Sequence, residues 1–248
     1  MAIRNVALKT KSPDRPTNVK SGGGIELYLK RIFALMFGAV AVTALAAWAT
    51  MATPLWTMLF TQTGLSAVYY ILLFGGLALA IWAQVRAFSF KPSTGALMLF
   101  LYAILTGIVM TPLLLVAVVQ NPWTIVAAFM IAAVMFACMA LFGYKTVKDL
   151  SFLGIFLFMG MIGLILVGLA SFIWPEIVGG TFGTTVCFIG ILVFALFTAY
   201  DMQNLKRAYA VLGGDGAQKN QLAVLGALHL YISFIAMFQY LLNLLNRN

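Results

Sequence analysis

The chain has 248 residues, of which 63% are hydrophobic and 8% are charged, and its mean hydropathy is +1.04. This composition excludes an ordinary soluble domain and predicts an integral membrane protein built as a single bundle. The net charge of +9 comes from Lys and Arg residues outside the apolar runs, so it bears on membrane orientation before nucleic-acid binding.

Seven apolar runs follow one another along the chain. Each is long enough to cross a hydrocarbon core of ~30 Å as a helix. Spans of this kind must be helical, because lipid offers no partner to an exposed peptide group. We therefore predict an all-α membrane protein with seven transmembrane helices. The runs occupy residues 32–52, 66–85, 95–119, 122–142, 152–174, 182–203 and 222–245.

The basic residues predict how the chain crosses the membrane. Residues 1–24 carry Pro, Gly and basic residues without apolar periodicity, which predicts a disordered basic cytoplasmic tail before a seven-helix domain at 25–248. If all seven runs span, fourteen of the fifteen Lys and Arg residues fall on one side, and only Arg247 falls on the other. By the positive-inside rule, the amino terminus is cytoplasmic and the carboxyl terminus is outside. The short connections favour the inner membrane of a bacterium.

The third run contains a proline that interrupts its backbone hydrogen bonding. Pro112 has no N–H, so the carbonyl of Ile108 loses its helical partner and we predict a kink. The freed carbonyl and the hydroxyls of Thr106 and Thr111 could line a water path. Alternatively, neighbouring helices satisfy these groups and the kink only shapes the packing.

Asp201 is the one acidic residue inside any of the seven runs. An ionisable group within a span is costly unless it is paired or wet, which makes it a functional-site hypothesis. Arg86 follows the second run at the same face of the membrane, so we predict an Arg86–Asp201 ion pair, with Lys206 and Lys91 as competing partners. The pair either gates a path or fixes the helices as a static structural contact.

His229 is the second unusual residue, because it enters the seventh run four positions before Ser233 and shares a helix face with it. A histidine close to Asp201 could change its charge in the physiological pH range. The alternative is a neutral, hydrogen-bonded side chain that never does so. Further along this run, Gln239 and Asn243 repeat at helical spacing, either as the lining of a path or as interhelical hydrogen bonds.

Three stretches together resemble the Bax inhibitor-1 family of membrane proteins. Residues 142–154, FGYKTVKDLSFLG, resemble the family's GYTTKRDLSFLG-like signature, and residues 197–206, FTAYDMQNLK, resemble its AYDTQ motif. Residues 105–107 with Pro112 are similar to its third span. The ordered set is specific, and the resemblance covers about residues 25–245.

The resemblance implies a fold in which six helices surround a central seventh. It also implies either a pH-sensitive calcium leak or, as in some bacterial members, modulation of a membrane-anchored protease. In leak members an acidic residue on span six, matched here by Asp201, shares a proton with one on span seven, and an arginine from span two engages one of them. Ser233 stands where the second acidic residue would be, so this chain cannot form that two-carboxylate site.

Two functions are open at this point. The first is a pH-sensitive ion leak, with calcium as the expected ion, gated by Asp201 with Arg86 and His229. The second is a non-transporting regulator that binds a membrane-anchored protease or another membrane partner. The lipid bilayer is the expected surrounding, nucleic acid is not an expected partner, and transient calcium is the only cofactor-like expectation.

An enzyme is not expected. An intramembrane aspartyl protease needs two catalytic aspartates in adjacent spans, and a membrane serine protease needs a Gly-x-Ser-Gly-like nucleophile that the sequence lacks. A metal enzyme needs more ligands than one histidine and two separated cysteines.

Overall fold

The computed structural model describes residues 21–62, 64–85, 91–174, 176, 179–211 and 216–247. This part of the chain contains seven helices that are long and apolar enough to cross a membrane. The predicted all-α membrane architecture is therefore confirmed. The helices are α1 Ser21–Ala52, α2 Ala67–Val85, α3 Pro92–Gln120, α4 Trp123–Lys145, α5 Ser151–Ile173, α6 Gly180–Val211 and α7 Gly216–Leu245.

Two helices extend well beyond their predicted runs. α1 begins at Ser21 instead of residue 32, and α6 continues to Val211 instead of ending at residue 203. Hydropathy reports the thickness of the bilayer, whereas a helix continues wherever its backbone bonds and packing remain favourable. Tyr28, in the extension of α1, is buried and packs against the ring of Tyr209 in the extension of α6. Residues 21–24, predicted as part of the disordered tail, belong to α1, and residues 1–20 lie outside the described residues.

The connection between α1 and α2 is a small folded cap. A 3₁₀ turn, Pro54–Leu59, leads into strand β1, Phe60–Thr61, which pairs antiparallel with β2, Gly64–Leu65. Ser66 then accepts a hydrogen bond from the N–H of Tyr69 through its side chain at the start of α2. A side-chain acceptor at this position satisfies one of the unpaired donors of the first helical turn.

The seventh helix is the centre of the bundle, as the resemblance implied. In the most apolar stretch of α7, 72% of the residues are buried, against 11% in α2 and in α5. α7 packs against α1, α3, α4 and α6, whereas α2 packs mainly on α3 and α5 on α6. The two outer helices therefore leave room between them on one side of α7.

Small residues set the closest helix contacts, as helix association within lipid requires. Gly143 of α4 lies directly against the backbone of Ala199 in α6, and Gly107 of α3 lies against the carbonyl of Thr43 in α1. The third contact places the ring of Tyr200 over Gly154. In each case a Cβ atom on the glycine would overlap its neighbour, so the packing of α4, α3 and α5 depends on these positions.

The α3 helix continues through its proline. Pro112 lies inside the helix, and the hydroxyls of Thr106 and Thr111 donate to the carbonyls of Tyr102 and Gly107 at 2.8 and 3.2 Å. Thr111 is fully buried, which makes it a packing residue. The two hydroxyls thus bond within α3 itself.

Substituting Gly143 should destabilise the bundle, whereas the same change at Gly163 should not. We expect Gly143→Ala to lower the free energy of unfolding by about 1–3 kcal/mol, because the added methyl overpacks the contact with Ala199. The Cβ of Gly163→Ala meets no atom within 4 Å, so this control should be neutral or stabilise by up to about 1 kcal/mol. Denaturation in detergent micelles, followed by circular dichroism, measures both. Equal changes in the free energy of unfolding for the two variants would contradict the role of Gly143 as a close-packing position.

Candidate functional site

The last turns of α6 and the first turns of α7 run antiparallel at one end of the bundle. We call this the basic end, because Lys91, Lys145, Lys206 and Lys219 lie at the ends of helices there. The register follows from two glycine contacts, Gly226 with Leu205 nearer this end and Gly190 with Tyr240 farther from it. This register places Asp201 of α6 opposite His229 of α7.

Asp201 and His229 form the central contact of the site. Nδ1 of His229 lies 3.8 Å from Oδ1 of Asp201, and the two side chains are 34% and 13% exposed, respectively. The carboxylate is thus shielded, whereas the ring is partly accessible. A distance of 3.8 Å is about 1 Å longer than a charge-assisted hydrogen bond, so the two groups are paired but not in full contact.

A third helix reaches the same ring. Nε2 of His229 lies 3.2 Å from Oε1 of Gln84, near the end of α2. Because an amide oxygen can only accept, Nε2 carries the proton in this contact. In the neutral ring Nδ1 is then unprotonated, and a second proton would bind at the nitrogen that faces Asp201. A proton on this nitrogen would form an ion pair with ionised Asp201.

Arg86, the predicted partner of Asp201, lies outside the described residues, so the Arg86–Asp201 pair stays a prediction. The competing lysines have other surroundings. Nζ of Lys206 donates to the carbonyl of Tyr144 at 2.9 Å and lies 5.2 Å from the centroid of its ring. Lys91 lines a small cavity beside Leu228. Lys206 thus fastens α6 to the end of α4.

Ser233 lies one helical turn beyond His229 on α7 and is buried. In the same register its position faces Thr198 of α6, which is also buried and donates to the carbonyl of Phe194 at 3.0 Å. Two buried hydroxyls therefore lie about one helical turn beyond the Asp201–His229 pair. The described part of the chain holds no group of three His, Cys, Asp or Glu residues able to bind a metal, so metal binding in the site would depend on one carboxylate and neutral oxygens.

Gln203 is a site residue that the sequence analysis missed. Its side chain is buried, donates from Nε2 to the carbonyl of Lys148 at 2.7 Å and accepts from the N–H of Leu150 at 2.9 Å. The amide thus binds the connection between α4 and α5 to the helix that carries Asp201. A glutamine so close to Asp201, at the end of an apolar run, was the available signal.

An exposed ion pair reinforces this connection. Asp149 accepts from Arg207 and from the N–H of Ser151, at 2.8 and 2.9 Å, and Arg207 also donates to the Ser151 hydroxyl at 3.1 Å. Hydrogen bonds from Ser151, followed by the one from Arg207, lower the pKa of Asp149 to about 2. Asp149 therefore stays ionised at physiological pH, although an exposed pair of this kind adds little stability.

A cleft of about 510 Å³ opens on the other half of the same side of α7. We call it the α2–α5 cleft, because those outer helices form its two sides, with α3, α6 and α7 behind them. Two of the predicted path residues, Thr106 and Gln239, line it, together with Ser171 and Tyr240. The Asn243 side chain instead donates to the Gln239 carbonyl within α7 at 3.0 Å.

Comparison with known proteins agrees with this architecture. The sequence model described as "Inhibitor of apoptosis-promoting Bax1" matches residues 25–248. The chain belongs to the Bax inhibitor-1 family. Its relatives include the inner membrane protein YbhL of Escherichia coli K12, 31% identical over 94% of this chain and 96% of YbhL. An uncharacterised Rickettsia prowazekii protein, RP147, is 31% identical over 90% of each chain.

Family membership confirms the resemblance, and the relationship to YbhL together with seven apolar helices makes the chain a multi-pass inner-membrane protein. The two Bax inhibitor-1 motifs meet in space. Gln203 and Arg207 of α6 contact the connection formed by residues 146–150. The two motifs therefore contact each other directly, through Gln203, beside Asp201.

The low pKa of Asp149 should depend on Ser151 and Arg207. Because the folded pKa is depressed, the contact contributes above the ordinary value of about 3.9 and is lost as the pH falls toward 2. We expect Ser151→Ala and Arg207→Gln each to raise the Asp149 pKa part of the way to its ordinary value. Arg247→Gln, which alters a residue near Gly180, should have no effect. Carbon-13 NMR titration of labelled aspartate measures these shifts, and an unchanged pKa in Ser151→Ala would refute the assignment.

Proposed function

We propose that the protein is a pH-sensitive ion leak, with calcium as the expected ion, in which Asp201 and His229 control the path. The observation that supports this best is their contact at 3.8 Å between α6 and the central helix. Charged groups inside a span usually mark an ion path or a proton relay. The pair combines the one carboxylate of the seven apolar runs with histidine, the side-chain type whose ordinary pKa lies closest to neutral.

One face of α7 connects the pair with the α2–α5 cleft. His229, Ser233, Ala236 and Gln239 follow one another at spacings of three or four residues and so share one side of the helix. At ~1.5 Å per residue, His229 and Gln239 are about 15 Å apart along the axis. Ser233 is buried between them, so this conformation is closed between the cleft and the pair.

The polar groups of the cleft suit a cation. The Ser171 hydroxyl donates to the carbonyl of Gly168 at 2.6 Å, which leaves its oxygen as an acceptor, and the Thr106 hydroxyl lies beside those of Tyr102 and Tyr231. Gln239 adds an amide oxygen. Of the described residues that line the cleft, none is Asp, Glu, Lys or Arg. Neutral oxygens of this kind could replace part of the hydration shell of calcium.

The geometry suggests how a proton would act. Neutral His229 directs an unprotonated Nδ1 toward Asp201, because Nε2 is held by Gln84. Uptake of a proton turns this contact into an ion pair that draws α6 and α7 together. We infer that a lower pH favours the closed state. Of the cations at this end, Lys206 is bonded to Tyr144, Lys91 lies beside Leu228, and Arg86 is outside the described residues.

A non-transporting regulator, which binds a membrane-anchored protease or another membrane partner, is the alternative. Ser233 favours this alternative, because it leaves the site with one carboxylate. Calcium sites usually have several charged or carbonyl oxygens. In that case the Asp201–His229 contact fixes the helices and does not respond to protons.

Calcium flux into proteoliposomes at pH 6 and pH 8 separates the two functions. We expect wild-type flux at pH 8 to exceed that at pH 6 by about fivefold or more, the low end of usual coupling between two sites. His229→Gln should bring this ratio close to one, since glutamine cannot take up a proton. Asp201→Asn should change the flux and also remove its pH dependence.

The matched control is Asp149→Asn, which makes the same chemical change at an exposed carboxylate outside the spans. It should leave the pH ratio at its wild-type value. Wild-type flux no greater than that of empty vesicles at either pH would reject the leak and favour the regulator. A pH ratio that survives in His229→Gln would reject His229 as the proton-responsive group.

A further inference from the structure

The two outer helices touch through one aromatic cluster. The ring of Phe172, in the last turn of α5, lies 5.2 Å from the ring of Tyr70 and 6.1 Å from that of Phe74, both near the start of α2. The contact with Tyr70 is edge-to-face, at an interplanar angle of 85°, which is a favoured arrangement of two aromatic rings. We call these three residues the aromatic clasp.

The backbones of the two helices are held elsewhere. α2 packs mainly on α3, and α5 packs on α6. On α5, a Cβ at Gly168 would meet no atom within 4 Å, although this residue lines the cleft. The space between the helices is therefore open at Gly168, on the side of the clasp that faces the basic end. Side chains, rather than close helix packing, bridge its rim.

The clasp lies within the half of the cleft that is farthest from the basic end. Phe74 and Phe172 themselves line the cleft, and Phe172 is one residue from the end of α5. Both rings are about two-fifths exposed, at 44% and 40%. Rings that are only partly packed can change rotamer without opening a core.

We propose that the aromatic clasp is the closure of the α2–α5 cleft at this end, with Phe172 as its movable residue. Rotation of one side chain would admit water and small cations to Ser171, Thr106 and Gln239. The role of the clasp in a leak depends on the proposed function. The closure itself can be tested without measuring flux, because it determines which solutes reach the cleft.

Thiol accessibility tests the closure directly. The reporter is Gly168→Cys, which has space for the new side chain, in a chain whose native cysteines are removed by Cys138→Ala and Cys187→Ala. A membrane-impermeant cationic methanethiosulfonate is added to each side of the membrane in turn. We expect Phe172→Ala to speed modification of the reporter from one side by about five- to fiftyfold, because two aromatic contacts are lost.

Three controls define the result. Phe172→Tyr keeps a ring in place and should retain the parental rate. Phe156→Ala should also have no effect, because it removes an exposed ring whose aromatic neighbour, Phe152, is on α5 itself. With the thiol at Gly163, outside the cleft lining, Phe172→Ala should change nothing. If Phe172→Ala does not fold, Phe172→Leu should still speed modification, because it keeps apolar bulk but loses the ring contacts.

An unchanged rate in both the Ala and Leu variants at position 172 would overturn the clasp. The accessibility and flux measurements fail separately. Faster modification in the position-172 variants, without calcium flux in the wild type, would support the closure and reject the leak. Calcium flux in the wild type, with an unchanged modification rate in those variants, would support the leak and reject the closure.

Discussion

A carboxylate within a membrane span needs a partner or water, and this requirement organises the end of the bundle at which α6 and α7 meet. Asp201 is shielded, and the central helix offers it the partly accessible ring of His229. Gln84 fixes the other nitrogen of that ring. Three helices thus converge on one imidazole ring, which is more exposed than the carboxylate that it faces.

The position of Asp201 depends on contacts that involve no charge in the span. Gly143 allows α4 to approach the backbone of α6, and Gln203 binds the α4–α5 connection to the same helix. Beyond Ser233, in contrast, the α2–α5 cleft lies between the two outer helices, which the aromatic clasp bridges. The bundle therefore combines a closely packed end around Asp201 with a loosely bridged end around the α2–α5 cleft.

The sequence predicted the parts of this fold that the bilayer dictates. Apolar runs gave seven helices, because each must match the thickness of the membrane. Asp201 and His229 were evident from their rarity, but their contact depends on the register of α6 and α7, which two glycine contacts determine. Gln203 was missed, since a polar residue at the end of a run resembles ordinary interfacial sequence. The α2–α5 cleft arises where packing is absent, which no local pattern records.

The central claim is that Asp201 and His229 respond to protons as one unit. A double-mutant cycle tests it most directly, with the ratio of calcium flux at pH 8 to that at pH 6 measured for wild type, Asp201→Asn, His229→Gln and the double variant. If the pair acts as a unit, either single change removes the pH response and the double variant adds nothing further. Independent effects, which multiply in the double variant, would contradict the account.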